Sequence, residues 1–162
     1  MMSWSFVTGA AALIGLGSAL AWAQTAPVGV YTAAQAAAGG TVYAQNCAGC
    51  HRANLAGGGE APALGGNGFI SSFGARSTKD LYKFIATSMP AGVPGSLSET
   101  QYTDVTAYLL QANGAPAGSK PFNKSTDVKV FSIATGKPPV RAPRAAKTAN
   151  DAPLNQPTDQ LA

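Results

Sequence analysis

The chain has 162 residues, of which 11% are charged, with a formal net charge of +4, two cysteines, one histidine and three methionines. From Gln24 to Gly114 the charges cancel, and the whole +4 lies from Ala115 onward. A neutral first part excludes a basic nucleic-acid-binding face there, and three Cys/His side chains fall short of the four that a structural zinc site takes.

The N-terminus opens on an apolar run, Phe6 to Leu20, followed by the small-x-small triplet Ala21-Trp22-Ala23. This pattern predicts a signal peptide over residues 1–23, cleaved after Ala23, and a periplasmic location for the rest. No Lys or Arg precedes the run, and a retained anchor is the alternative, although the run is short for a span of about twenty residues. The remainder is long enough for one domain, residues 24–114, and a tail, residues 115–162.

Thr32 is placed to cap a helix from Ala33 to about Asn46, with Gly39 and Gly40 in its middle. Each glycine costs a helix about 1 kcal/mol relative to alanine. Gly39, Tyr43 and Cys47 fall at i, i+4 and i+8, on one face, so Gly39 can admit another helix closely while Tyr43 lies beside Cys47. The alternative is that an alanine-rich helix merely drifted to glycine.

Both cysteines and the histidine then occur together, in Cys47-Ala48-Gly49-Cys50-His51. C-x-x-C-H is the pattern of covalent c-type haem attachment. The two sulfurs can each add to one vinyl group of the same porphyrin, and the next residue sets an imidazole under the iron. A thioredoxin-like pair would need a βαβ setting and has no use for the histidine. A disulfide across two residues would close almost no loop.

From Asn54 to Gly68 the glycines and Pro62 predict an irregular loop, with Leu55, Leu64 and Phe69 spaced to lie over a flat ligand. Ser77 or Thr78 starts a short helix with Leu81, Phe84 and Ile85 on one face. Pro90 forces Met89 out of helical geometry and ends it. Met1 and Met2 belong to the signal peptide, which leaves Met89 as the candidate second ligand of a haem iron, where thioether raises the potential. A Gly/Pro turn, Ala91 to Ser96, leads to the capping box Ser98-Glu99-Thr100-Gln101. It opens a helix with Tyr102, Val105, Tyr108, Leu109 and Ala112 in a stripe and Gly114 as its stop. Beyond Gly114 the chain is rich in Pro, Ala and Lys; Val128 to Phe131 alternates like a short strand, and Pro138 to Ala162 reads as disordered.

Taken together, Gly39-x-x-x-Tyr43-x-x-x-Cys47-x-x-Cys50-His51, Ala61-Pro62-Ala63-Leu64, Met89-Pro90 and the helix with Tyr108-Leu109 resemble a class I c-type cytochrome. The resemblance covers about Tyr31 to Gly114. It implies an all-α fold of three to four helices around one haem c, held by Cys47 and Cys50, with His51 and Met89 on the metal. It also implies that Gly39 faces the last helix near Tyr108, that Tyr43 and Leu64 border the haem, and that Pro62 accepts the His51 ring N–H. The glycine-rich loop and Ser88-Met89-Pro90-Ala91-Gly92 are most similar to single-haem cytochromes associated with quinoprotein dehydrogenases.

The function this implies is that of a one-electron carrier rather than an enzyme, taking electrons from a dehydrogenase and passing them towards a respiratory oxidase or another cytochrome. Two alternatives stand beside it: a haem subunit fixed in a dehydrogenase complex, and a haem sensor or peroxidase in which Met89 gives way. The last lacks a second histidine for acid–base work. The basic tail either docks on an acidic partner or a membrane surface, or only solubilises.

Val, Ile, Leu and Phe make up 16 of the 91 residues from Gln24 to Gly114, too few for a core without a buried porphyrin. The haem-free chain is therefore expected to be poorly folded. Circular dichroism of the apoprotein checks this, and a cooperative, native-like melt would refute it.

Overall fold

The computed structural model describes residues 29–59 and 61–138, so the predicted signal peptide and residues 139–162 lie outside the described residues. Five α-helices follow in order: α1 (Ala33–Asn46), α2 (Ala48–His51), α3 (Gly66–Phe73), α4 (Thr78–Ser88) and α5 (Glu99–Ala112). A 3-10 turn, Val130–Ser132, comes after them. The fold is all-α, and among the described residues only isolated bridges pair extended backbone, Gly58 with Ala61 and Ser77 with Lys129.

Helix starts follow local chemistry. The Thr32 hydroxyl accepts from Gln35 N at 3.2 Å, which satisfies one of the free N–H groups at the start of α1. Ser77 with Asp80 and Ser98 with Gln101 form reciprocal capping boxes on α4 and α5. At the other end of α5, Gly114 takes φ +90, a left-handed conformation that glycine adopts without a steric cost.

The first and last long helices cross at Gly39. A Cβ there would run into the Asp104 carbonyl and stand 2.9 Å from the Tyr108 Cβ, and one on Gly40 would lie 3.5 Å from the Tyr108 ring. Packing thus requires glycine at 39, whereas at 40 a Cβ would make only an ordinary contact, and Gly39 meets α5 where the sequence places it. Of the expected α5 stripe, Tyr102, Val105 and Leu109 are buried, while Tyr108 and Ala112 are half-buried.

Two features differ from the sequence reading. The loop predicted over Asn54 to Gly68 ends early, because Gly66 to Gly68 form the first turn of α3. Phe69 and Phe73, buried one turn apart with ring centroids at 5.5 Å, hold that helix down. With α3 and the single turn α2, the helices among the described residues number five, where three to four were expected.

The second difference lies beyond Gly114, where residues 115–138 do not form a separate tail. Phe122, Val130 and Ala134 are buried in the same core as the helices. Gln35 clasps the Phe122 backbone through both amide atoms, donating to its carbonyl at 2.9 Å and accepting from its N–H at 2.7 Å. Thr78 N donates to Val128 O at 2.8 Å, and the Thr78 hydroxyl donates to Thr126 O at 2.7 Å. Composition concealed this segment because its anchors are single apolar residues, and the expected strand at Val128 to Phe131 shrinks to one bridge and the 3-10 turn.

Asn113, fully buried at the end of α5, joins these parts. Its side chain accepts from Gly66 N at 3.0 Å and donates to Leu64 O at 2.9 Å and Leu109 O at 2.8 Å, while its carbonyl accepts from Thr135 N and Gly136 N. Asn113→Ala removes the partners of half-buried polar groups in the 64–66 loop, and a loss of about 1–2 kcal/mol in urea unfolding of the holoprotein is the expected result. A loss below about 0.5 kcal/mol would show that the loop finds other partners.

Candidate haem site

The attachment motif begins where α1 ends. Cys47 N donates to Tyr43 O at 2.9 Å, and His51 N donates to Cys47 O at 2.9 Å, so one helical turn carries Cys47, Cys50 and His51. Cys47 is half-buried and Cys50 exposed, both as unpaired thiols; burial raises the Cys47 pKa above its ordinary value. His51 is buried.

The loop after the motif returns to the imidazole. Gly57 N donates to His51 O at 3.0 Å, and Leu64 N donates to Leu55 O at 2.8 Å. Gly57 has φ +70, and a Cβ on it would lie 2.5 Å from Ala61 O and 2.7 Å from the Pro62 carbonyl carbon. Its missing side chain lets the 61–63 segment come alongside. The His51 Nδ1–H donates to Pro62 O at 2.8 Å. A carbonyl can only accept, so the proton sits on Nδ1 and Nε2 keeps a free lone pair.

Pro90 leaves Met89 extended at φ −126 and ψ 153, as the last cap of α4, with its N–H donating to Ile85 O at 3.0 Å. Tyr43, 2% exposed, donates its hydroxyl to Arg52 O at 2.7 Å and pairs with the Tyr108 ring at 5.2 Å. Burial, with Tyr108 and Cys47 adding to it, pushes its phenol up to about 12.

These side chains share one cavity of about 500 Å³. Tyr43, Cys47, Cys50, His51, Pro62, Leu64 and Met89 all line it. Its remaining wall is largely apolar, with Phe73, Leu81, Ile85, Val105 and Leu109. A volume in this range with few polar groups suits a flat apolar ligand. The donor set fits haem c: two thiols for vinyl addition, a ring nitrogen lone pair and a thioether. Among the described residues no three His, Cys, Asp or Glu side chains gather as a metal site.

Phe73 and Arg76 are among the lining residues that the sequence reading did not assign to the site. Phe73 belongs to α3, and its spacing from Phe69 was the signal for it. Arg76, whose guanidinium lies 5.6 Å from the Phe73 ring centroid, brings a positive charge to the rim; nothing in the surrounding sequence marks it.

Residues 34–109 match the family model described as cytochrome C oxidase, cbb3-type, subunit III. The match runs from α1 into α5 and includes every predicted site residue. This is a class I c-type cytochrome domain. A solved structure similar to it is the sulfane dehydrogenase SoxCD from Paracoccus pantotrophus, at 21% identity and a TM-score of 0.45, covering 85% of this chain and 80% of that one. A search of curated proteins gives no match. Among the described residues of the cytochrome, no helix is long and apolar enough to cross a membrane.

The Gly57 contact gives a local test of the site. Gly57→Ala drives the 61–63 segment outward and frees the imidazole N–H. In the ¹⁵N-labelled cytochrome the His51 Nδ1–H resonance, protected in the parent, is expected to broaden through exchange with water; an unchanged signal would show that the loop absorbs the methyl.

Proposed function

We propose that this cytochrome is a periplasmic one-electron carrier in which haem c, joined through Cys47 and Cys50, is bound by His51 and Met89. The observation that carries the reading is the convergence of both cysteines, the histidine and the single downstream methionine on one apolar cavity. When bound, the haem supplies an iron that alternates between Fe(III) and Fe(II), one electron entering from a donor and one leaving to an acceptor. Pro62 fixes the His51 ring and its tautomer, and the extended backbone at Met89 presents a thioether that raises the potential. Phe73, Leu81, Ile85 and Leu109 exclude water. Leu64 and Tyr43 complete the wall, and Arg76 would supply a positive charge there to an anionic group of a bound haem.

A dehydrogenase as donor and an oxidase or another cytochrome as acceptor fit a cavity that, among the described residues, is lined by no carboxylate. The export pattern of residues 1–23 supports the periplasmic side. The matching family is described as an oxidase subunit, which favours a second reading, a haem subunit held in a larger complex. The two readings share the site and differ in partner affinity. Docking through the basic C-terminal segment would draw on Lys120 to Lys147, of which Lys120, Lys124, Lys129 and Lys137 are exposed on a stretch anchored by Phe122, Val130 and Ala134.

Met89→Ala tests the assignment directly. The ferric protein is expected to lose the weak long-wavelength sulfur-to-iron absorption and to show a lower reduction potential, with the pigment still resisting acidified acetone. Persistence of the band would assign the sulfur elsewhere.

A further inference from the structure

The segment that follows Met89 is loosely held. Residues 91–96 are all exposed, with Val93 58% exposed. Their backbone hydrogen bonds stay within the segment: Val93 N to Pro90 O at 3.0 Å and Ser96 N to Val93 O at 3.3 Å. Met89 and Leu97 at its ends pack against the core, and the hydrogen bonds that tie both ends to α5 come from one side chain. Tyr102, 4% exposed on α5, donates its hydroxyl to Met89 O at 2.8 Å, and the same oxygen accepts from Leu97 N at 3.4 Å.

That arrangement has a chemical consequence. A hydroxyl can donate once and accept as well, so a single oxygen closes the turn from Met89 to Leu97 into a ring pinned on α5. The aromatic body of Tyr102 is anchored in the core, so its oxygen is a fixed point rather than a mobile one. Met89 itself is only half-buried, and its one other backbone tie is to Ile85 within its own helix. Without the hydroxyl, the carbonyl of Met89 and the amide of Leu97 turn to water and the segment swings from its two helix ends.

We infer that Tyr102 is the positioning residue of the Met89 loop, and that its hydroxyl sets how readily Met89 yields to an external ligand. The inference rests on Met89 as a ligand of the haem iron. It adds a regulating contact outside the cavity lining, through the Met89 carbonyl and not the sulfur.

Titration of the ferric holoprotein with imidazole, followed by loss of the sulfur-to-iron absorption, is the test. Tyr102→Phe keeps the ring and removes the oxygen; it is expected to retain the band without imidazole and to bind imidazole about tenfold more tightly. Thr106→Val removes another buried hydroxyl of α5, one that donates to Tyr102 O at 2.7 Å, and is expected to bind imidazole as the parent does. Parent-like affinity in Tyr102→Phe, or an equal gain in Thr106→Val, overturns the inference. Absence of the band in the parent overturns the assignment of Met89 and the inference with it, whereas a parent band with an unchanged Tyr102→Phe overturns the inference alone. Hydrogen exchange of the parent holoprotein gives a reading that needs no variant: the Leu97 amide is expected to lose protection on saturation with imidazole, and unchanged protection overturns the inference.

Discussion

The close approach of α1 and α5 at Gly39 governs the rest of the structure. Only a residue without a side chain lets one helix rest on the carbonyl of Asp104. Once that crossing is fixed, Tyr43 and Cys47, one and two turns further along α1, are brought to the cavity that Val105 and Leu109 line from α5. The haem site is therefore placed by a backbone contact before any of its own side chains is considered.

The cavity is also where the chain is short of apolar material. Val105, Leu109 and Ile85 are buried, yet they line a space of about 500 Å³ rather than closing it. Packed interiors leave few voids larger than a water molecule, so a space of this size in a domain this small belongs to a ligand. Elsewhere the shortage is met from beyond Gly114, where Phe122, Val130 and Ala134 complete the core. The backbone of the 52–57 loop is held with the same economy: Arg52 and Leu55 both take φ +63, a conformation costing about 1–2 kcal/mol, and Leu55 is buried in return.

The sequence was most legible where chemistry is tied to spacing. Thr32, Ser77 and Ser98 announce their helices because a capping side chain must sit immediately before the first turn. Pro90 announces the extended geometry of Met89 because its ring bars the helical alternative. The Pro62 carbonyl at 2.8 Å from His51 Nδ1 was legible through family resemblance and not through spacing, since the glycine loop could have folded in many ways. The start of α3 was concealed because Gly65 and Gly66 look like turn residues, whereas here a distant Asn113 supplies the acceptor that helix start needs. Residues 115–138 were concealed for a related reason. Their burial depends on partners such as Gln35 and Thr78, which no local window contains.

The Gln35 clasp spans 87 residues of sequence, and the Tyr31 hydroxyl reaches as far, donating to Ala115 O across 84. Contacts of that range are slow to form, because the intervening chain must close a long loop before either bond is made. The opening turn of α1 accordingly has no finished environment until the last third of the body has been synthesised. A polypeptide halted at Gly114 lacks the pieces that hold its beginning, so the order in which the body closes runs from its far end back to its first turn.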